Sequence, residues 1–151
     1  MKNLELLTGA AHIGGEEIYW ELAREAETGT ADQRPVVVLS HGAGGSHAAW
    51  YQQVPVIGQH FRVLTWDSRG FGNSTNRTGQ LAPTNAANDL AAVLDHLEIS
   101  EAHLVGQSMG GWHVSAFLSL FSERVTSVTY ADTVGGLWTS DLRRVYKEFR
   151  E

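Results

Sequence analysis

Short unbroken apolar runs alternate with amphipathic segments along this chain, and they set an element order. The N-terminal signals are weak. Ala11 to Ile13 and Ile18 to Leu22 have β character, the second with Trp20 and Leu22 in alternation, and the turn-forming Gly14-Gly15 parts them. Ala26 to Arg34 is polar, contains Gly29 and reads as a surface loop. Pro35 then opens Val36-Val37-Val38-Leu39, a β-branched run of the kind found in strands covered on both faces. It ends at the flexible loop His41-Gly42-Ala43-Gly44-Gly45. Trp50 to Ile57 is a weaker helical candidate interrupted by Pro55, and Phe61 to Trp66 is a further strand, closed by the glycine-rich stretch from Asp67 to Ser74.

In the second half, Thr84 is placed to N-cap a helix running to about Leu97. Leu90, Leu94 and Leu97 fall at helical spacing, which leaves Asp89 and Asp95 to face water. Ala102 to Val105 predicts a strand that Gly106 ends. Ser108 to Phe121 predicts a helix whose apolar residues (Met109, Trp112, Ala116, Phe117, Leu120, Phe121) extend nearly all round, so it should be central and covered. Val125 to Ala131 is another strand, and Leu137 to Arg150 a closing amphipathic segment. Strand alternating with helix, four strands deep, predicts an α/β fold: a doubly wound, mostly parallel sheet with helices on both faces. Reactive groups in such sheets gather at the carboxyl ends of the strands. The loop after Leu39, Asp67 and Ser108 all fall there.

Bulk properties narrow the function classes. At 151 residues, 42% hydrophobic and 19% charged, the chain suits a single soluble globular domain with a real core. A formal charge of −6 argues against sequence-independent nucleic-acid binding, which needs a concentrated basic face. Without cysteine there is no disulfide framework, thiolate nucleophile or thiolate metal site, which suits a reducing cytoplasm. Met1 to Glu17 does not read as a secretory signal, since Lys2 is followed only by Leu4, Leu6 and Leu7 with Glu5 among them. No apolar run approaches the roughly 20 residues needed to cross a bilayer. The scattered histidines have no ligand spacing such as H-E-x-x-H, so nothing calls for a metal, and nothing calls for an organic cofactor.

The chemistry concentrates at Gly106-Gln107-Ser108-Met109-Gly110, a G-x-S-x-G pattern with Gly111 following. The pattern alone is weak, but it lies between a predicted strand and a predicted helix, as a nucleophile elbow requires. A serine projecting from so tight a turn adopts strained backbone angles, and flanking glycines leave space for strand and helix to approach. The helix N-terminus then supplies unpaired N–H groups and a positive dipole end. Ser108 is thus the candidate nucleophile and Met109 N–H the first oxyanion donor. The bland alternative, that Ser108 merely caps the helix, leaves the glycines at 106, 110 and 111 unexplained. A second donor is expected from the loop after the earlier central strand, with Ala43 the candidate in His41 to Gly45.

Taken together, Val36 to Gly45, Val63 to Ser74 and His103 to Gly111 resemble the α/β-hydrolase superfamily, nearest its single-domain esterase, enol-lactonase and C–C-bond hydrolase branch. The resemblance covers nearly the whole chain in the family's order, and implies a serine hydrolase acting on an ester, lactone or activated C–C bond of a small-molecule acyl substrate. It implies that Asp67 and Arg69 organise a structural turn and that His41 organises the oxyanion loop. Family members place the acid and then the histidine downstream of the nucleophile. Here the only histidine after Ser108 is His113, five residues into the same helix and expected to point along or away from it. His12, His47, His60, His96 and His103 fall in edge, loop or surface-like settings, and Asp132 reads as a turn residue before Gly135-Gly136.

By this resemblance residues 1–151 are one partial hydrolase domain, cut after the strand that follows the nucleophile helix, with 137–151 the start of a lid. Very low activity is expected of this polypeptide alone, along with an exposed apolar edge at Val125 to Ala131 that favours a homodimer or a completing chain. The competing readings are a non-catalytic ligand-binding module of hydrolase fold and one subunit of a two-chain hydrolase. Phe71, Trp50 and Met109 are either apolar pocket wall or core packing.

Overall fold

The computed structural model describes residues 2–26, 32–136 and 140–148. The chain opens with a hairpin of β1 (Leu4–Ile13) and β2 (Glu16–Glu25), turned at Gly14 and Gly15 with φ of 56° and 84°. Both strands extend well past the weak signals at 11–13 and 18–22. Their ladder runs from Leu4 opposite Glu25 to Ile13 opposite Glu16, and it takes the whole of Leu4–Ala10 into the sheet. Four further strands follow: β3 (Val36–Ser40), β4 (Arg62–Trp66), β5 (Ala102–Gln107) and β6 (Val125–Ala131). They form one six-stranded sheet in the order β1-β2-β4-β3-β5-β6. The pairs β4–β3, β3–β5 and β5–β6 are parallel, and β2 joins β4 antiparallel. The mostly parallel α/β sheet expected from the alternating pattern is therefore present.

The strands' period of two sorts the core into two layers. Val36 and Val38, with Leu64, Trp66 and Leu104, pack against α2 (Pro83–His96) and α3 (Met109–Leu120). Val37, Leu39, Val63 and Ala23 face the other way, onto Trp50, Ile57 and Phe61 around the short α1 (Val54–Ile57). Helices thus lie on both faces. Pro55 starts α1 rather than interrupting a longer helix, because proline fits the first turn, where no N–H is needed. Pro83 does the same for α2. That helix begins at Pro83 with Ala82 as its cap residue and no side-chain cap bond, so Thr84 is not the cap.

Two expectations about faces are corrected. Asp89 does not face water: it is completely buried in α2, paired with Arg69. Nor is α3 covered all round. Its Val114 and Phe117 are sealed in the core, but Trp112, Leu118 and Leu120 are exposed, because no described element packs on that side. Strand β6 matches its predicted span, and its outward residues Thr126, Ser127 and Thr129 are polar while Val125, Val128 and Tyr130 are half-buried. The closing segment contains α4 (Ser140–Glu148), and 137–139 and 149–151 lie outside the described residues, as do 27–31 of the polar loop. No helix among the described residues is long and apolar enough to cross a membrane.

Candidate active site

Ser108 sits where β5 ends and α3 begins, with φ of 51° and ψ of −116°. A side chain rarely adopts this conformation, and the surroundings hold it there. Its own N–H donates to Ala131 O at 3.2 Å, and its carbonyl accepts from Gly111 N–H at 3.0 Å. The hydroxyl makes no capping bond, so Ser108 does not serve α3 as a side-chain cap. The glycines around it are required by space. A Cβ on Gly106 would lie 2.5 Å from Gly110 O and 2.7 Å from Gly111 Cα; one on Gly110 would strike Ser40 O and C and come within 2.8 Å of His41 O. A Cβ on Gly111 would collide with Thr133. Strand β3, strand β5 and α3 are in direct backbone contact at this point.

The loop after β3 meets the same junction. A Cβ on Gly42 would stand 3.1 Å from Ser108 Cβ and would collide with Gln107 Oε1. His41, buried, fixes how this loop is turned. Its Nε2 accepts from Ser68 N–H at 3.0 Å, and an amide N–H can only donate, so the proton resides on Nδ1, which donates to Gly42 O at 2.7 Å. Burial lowers the His41 pKa and keeps this neutral tautomer. Gly42 O also accepts from Gly45 N–H at 3.1 Å, across a turn in which Gly44 has φ of 73°. Because N–H and C=O of a trans peptide point in opposite directions, the Ala43 N–H is directed away from the His41 ring.

An open cleft of about 400 Å³ lies over this junction, lined by Ser108, Met109, Trp112, His113, Leu81, Pro83, Asp132 and Thr133. Of the three residues singled out in the sequence, Ser108 and Met109 therefore share one cleft, while Ala43 is exposed on the neighbouring loop and does not line it. A smaller pocket of about 60 Å³ shares Leu81, Met109 and His113 with the cleft and reaches Phe71, Ser68 and Arg69. Phe71 packs edge-on against the His41 ring, whereas Trp50 belongs to the core layer beneath the sheet. A larger cavity, about 660 Å³, is remote from all of these, at the amino ends of β3 and β5 among Arg24, Asp32, Arg34 and Glu101.

No histidine among the described residues is hydrogen-bonded to Ser108. His113 lies in the cleft wall; it is 5% exposed and its ring is 5.9 Å from that of Trp66. Burial, with His41 nearby, brings its pKa down to about 4. His47 is not a surface residue either. Its Nδ1 lies 2.9 Å from Asp67 Oδ1 and its Nε2 3.4 Å from Glu21 Oε1. The fully buried Asp67 also accepts from His47 N–H at 2.6 Å and Asn73 N–H at 2.7 Å. Arg69 clasps Asp89 through Nε at 2.8 Å and Nη2 at 2.6 Å and donates to Thr78 Oγ1. Both charged residues thus bind the 67–78 segment in place. Asp132, exposed with φ of 50°, lines the cleft from the end of β6.

With this geometry in hand, comparison with known proteins identifies the frame. The sequence profile of the alpha/beta hydrolase fold matches residues 35–150, which contain all four parallel strands, α2, α3 and Ser108. The chain belongs to that family. Among curated α/β hydrolases it is 35% identical over 114 residues to 3-oxoadipate enol-lactonase 1 of Acinetobacter baylyi, an alignment covering 73% of this chain and 41% of that enzyme. It is 36% identical over 87 residues to a putative carbamate hydrolase, RutD, of Agrobacterium fabrum, covering 54% and 32% respectively. Among solved structures, the enol-lactonase from Burkholderia xenovorans LB400 superposes with a TM-score of 0.73 at 30% identity, over 82% of this chain and 46% of that one. A hydrolase from Pseudomonas aeruginosa PA01 superposes with a TM-score of 0.74 at 28% identity, over 99% and 54%. The chain spans less than half the length of the curated relatives it matches.

Proposed function

We propose that this chain carries the nucleophile half of a serine hydrolase, cleaving an ester, lactone or similar acyl bond of a small molecule through an acyl-enzyme on Ser108. The observation that supports it is the Ser108 backbone, at φ 51° and ψ −116°, with a hydroxyl that caps nothing and opens onto a cleft shared with Met109. In this reading Ser108 Oγ attacks the carbonyl carbon while its proton passes to a base. The charge that develops on the carbonyl oxygen is met by the Met109 N–H at the start of α3 and by the Ala43 N–H, donors together worth several kcal/mol, roughly 3–4 each. Collapse expels the leaving group, and water then releases the acyl group from Ser108. Asp67, Arg69 and His41 act as loop organisers.

A second reading concerns the base. Since Ser108 has no histidine partner among the described residues, we assign the catalytic histidine and acid to polypeptide other than these elements, whether further chain or a second subunit. The uncovered Trp112, Leu118 and Leu120 beside the β6 edge offer the surface against which it would pack. A fluorophosphonate probe separates the possibilities. Slow labelling of the wild-type chain that disappears in Ser108→Ala is expected, with p-nitrophenyl acetate turnover barely above background. Absence of labelling would leave a ligand-binding module of hydrolase fold, and brisk Ser108-dependent turnover would overturn the assignment of the base.

A further inference from the structure

Arginine concentrates at the end of the sheet remote from Ser108. The β2–β4 ladder pairs Leu22 with Leu64 and Ala23 with Val63, so one step further it sets Arg24 opposite Arg62. Like charges directly opposite each other on a sheet repel. By the strand period of two, both arginines emerge on the face that carries Leu22 and Leu64. Both line the cavity of about 660 Å³ at the amino ends of β3 and β5, and so does Arg34. The nearby carboxylates are already engaged. Glu5, across from Arg24 on β1, accepts from Arg24 Nε at 2.5 Å. Asp32 holds the Arg34 guanidinium through both oxygens and also accepts from the Glu25 and Arg34 amides. Arg62 is left over: its Nε donates to Arg34 O at 2.8 Å, and its two Nη groups have no acceptor among the described residues. Burial lowers the Arg62 pKa against the pull of Asp32, and the neighbouring Arg34 and Arg24 lower it further. The guanidinium nonetheless stays charged.

A planar guanidinium edge with two unused N–H groups matches the two oxygens of a carboxylate. Beside it the cavity wall is apolar, with Leu7, Leu22 and Val36 on the sheet and Leu97 and Ile99 just past α2. An apolar lining with a few convergent polar groups, at this volume, is the make-up of a small-molecule site. The rim carries the exposed Glu98 and Glu101, which repel a second negative charge, so a singly charged anion suits the cavity better than a phosphate dianion. We propose that this cavity binds a small organic monocarboxylate, whose two oxygens accept from the Arg62 Nη groups and whose short apolar chain lies along Leu22 and Ile99. The bound charge offsets the repulsion between Arg24 and Arg62. The site lies at the opposite end of the parallel strands from the Ser108 cleft, and it stands whether or not Ser108 is a nucleophile.

The test titrates hexanoate into the wild-type chain at low salt, followed by calorimetry and ¹H–¹⁵N spectra. Hexanoate should bind roughly tenfold more tightly than 1-hexanol, which has the chain without the charge. It should also bind more tightly than acetate or inorganic phosphate, which lack the chain. Shifts should concentrate at the Arg62 side chain and the Ile99 and Glu101 amides, leaving the Met109 amide unmoved. Arg62→Met should weaken hexanoate binding by about tenfold, and Arg62→Lys, which keeps the charge without the fork, should restore only part of the loss. Should Arg62→Met fail to fold, the hexanoate-to-hexanol ratio and the shift map of the wild-type chain decide the matter. Hexanol binding as tightly as hexanoate, phosphate binding more tightly than either, no binding of hexanoate, or shifts confined to Ser108 and Met109 would each overturn the proposal.

Discussion

Replacing Ser108 by glycine on the one hand and alanine on the other separates its hydroxyl from the backbone it occupies. Alanine removes the oxygen but keeps a Cβ at φ 51°, ψ −116°, so whatever strain the serine bears remains. Holding a non-glycine residue in such a region costs about 1–3 kcal/mol. Glycine reaches it freely, although its greater freedom in the unfolded chain offsets roughly 0.5–1 kcal/mol. Ser108→Gly should therefore be more stable than Ser108→Ala by about 0.5–2 kcal/mol. At this chain length each kcal/mol moves Tm by roughly 2–4 °C, a difference easily read by circular dichroism in thermal or urea unfolding. Ser108→Ala should itself remain near wild type, because the hydroxyl makes no capping bond whose loss would matter. Both variants should lose fluorophosphonate labelling. A Ser108→Gly midpoint at or below that of Ser108→Ala would refute the view that strain is stored at this junction.

Three other perturbations probe the scaffold. Asp89→Leu strands the buried Arg69 guanidinium and should cost about 3–5 kcal/mol in urea unfolding, most of it recovered by adding Arg69→Met. Gly110→Ala forces a methyl into the Ser40–His41 backbone, so a loss of about 1–3 kcal/mol and slower probe labelling at Ser108 are expected. Glu16, buried, accepts from the Thr75 hydroxyl and the Arg77 and Thr78 amides, which hold its pKa at about 2 against an ordinary 4.5. A depressed carboxylate contributes stability that is complete above its unfolded pKa and lost as pH falls through the folded one. The urea midpoint of wild type should thus exceed that of Glu16→Gln at pH 6, with the gap closing between pH 4.5 and pH 2.

The parallel strands were legible because their message is local. Val36 to Leu39 and Val125 to Ala131 are β-branched runs bounded by turn residues, and the structure places strands there with an error of at most one residue. Gly106, Gly110 and Gly111 were legible for a related reason, since each marks a contact too close for any side chain. What escaped depends on partners distant in sequence. Asp89 has helical spacing suited to water, and only the fold brings Arg69, twenty residues away, to neutralise it inside the core. His47 looked like a loop residue because neither Asp67 nor Glu21 is its sequence neighbour. His113 was set aside on the angle it makes along the helix, yet a ring can border a cleft without aiming at its most reactive atom. Pro55 and Pro83 carried a usable signal, for proline starts helices as readily as it breaks them.

The peptide between Gly42 and Ala43 is gripped at its oxygen from two sides, by the His41 ring and by the Gly45 amide. Rotating that unit would break both attachments at once, so its direction is settled when the protein folds and not when a ligand arrives. In the proposed role of the Ala43 N–H as a donor to substrate, binding there would demand no further ordering of the loop, and that saving in entropy would be retained for every compound alike. Differences in affinity among related compounds at this amide should therefore report how well each one fits, with no contribution from a backbone still choosing its orientation.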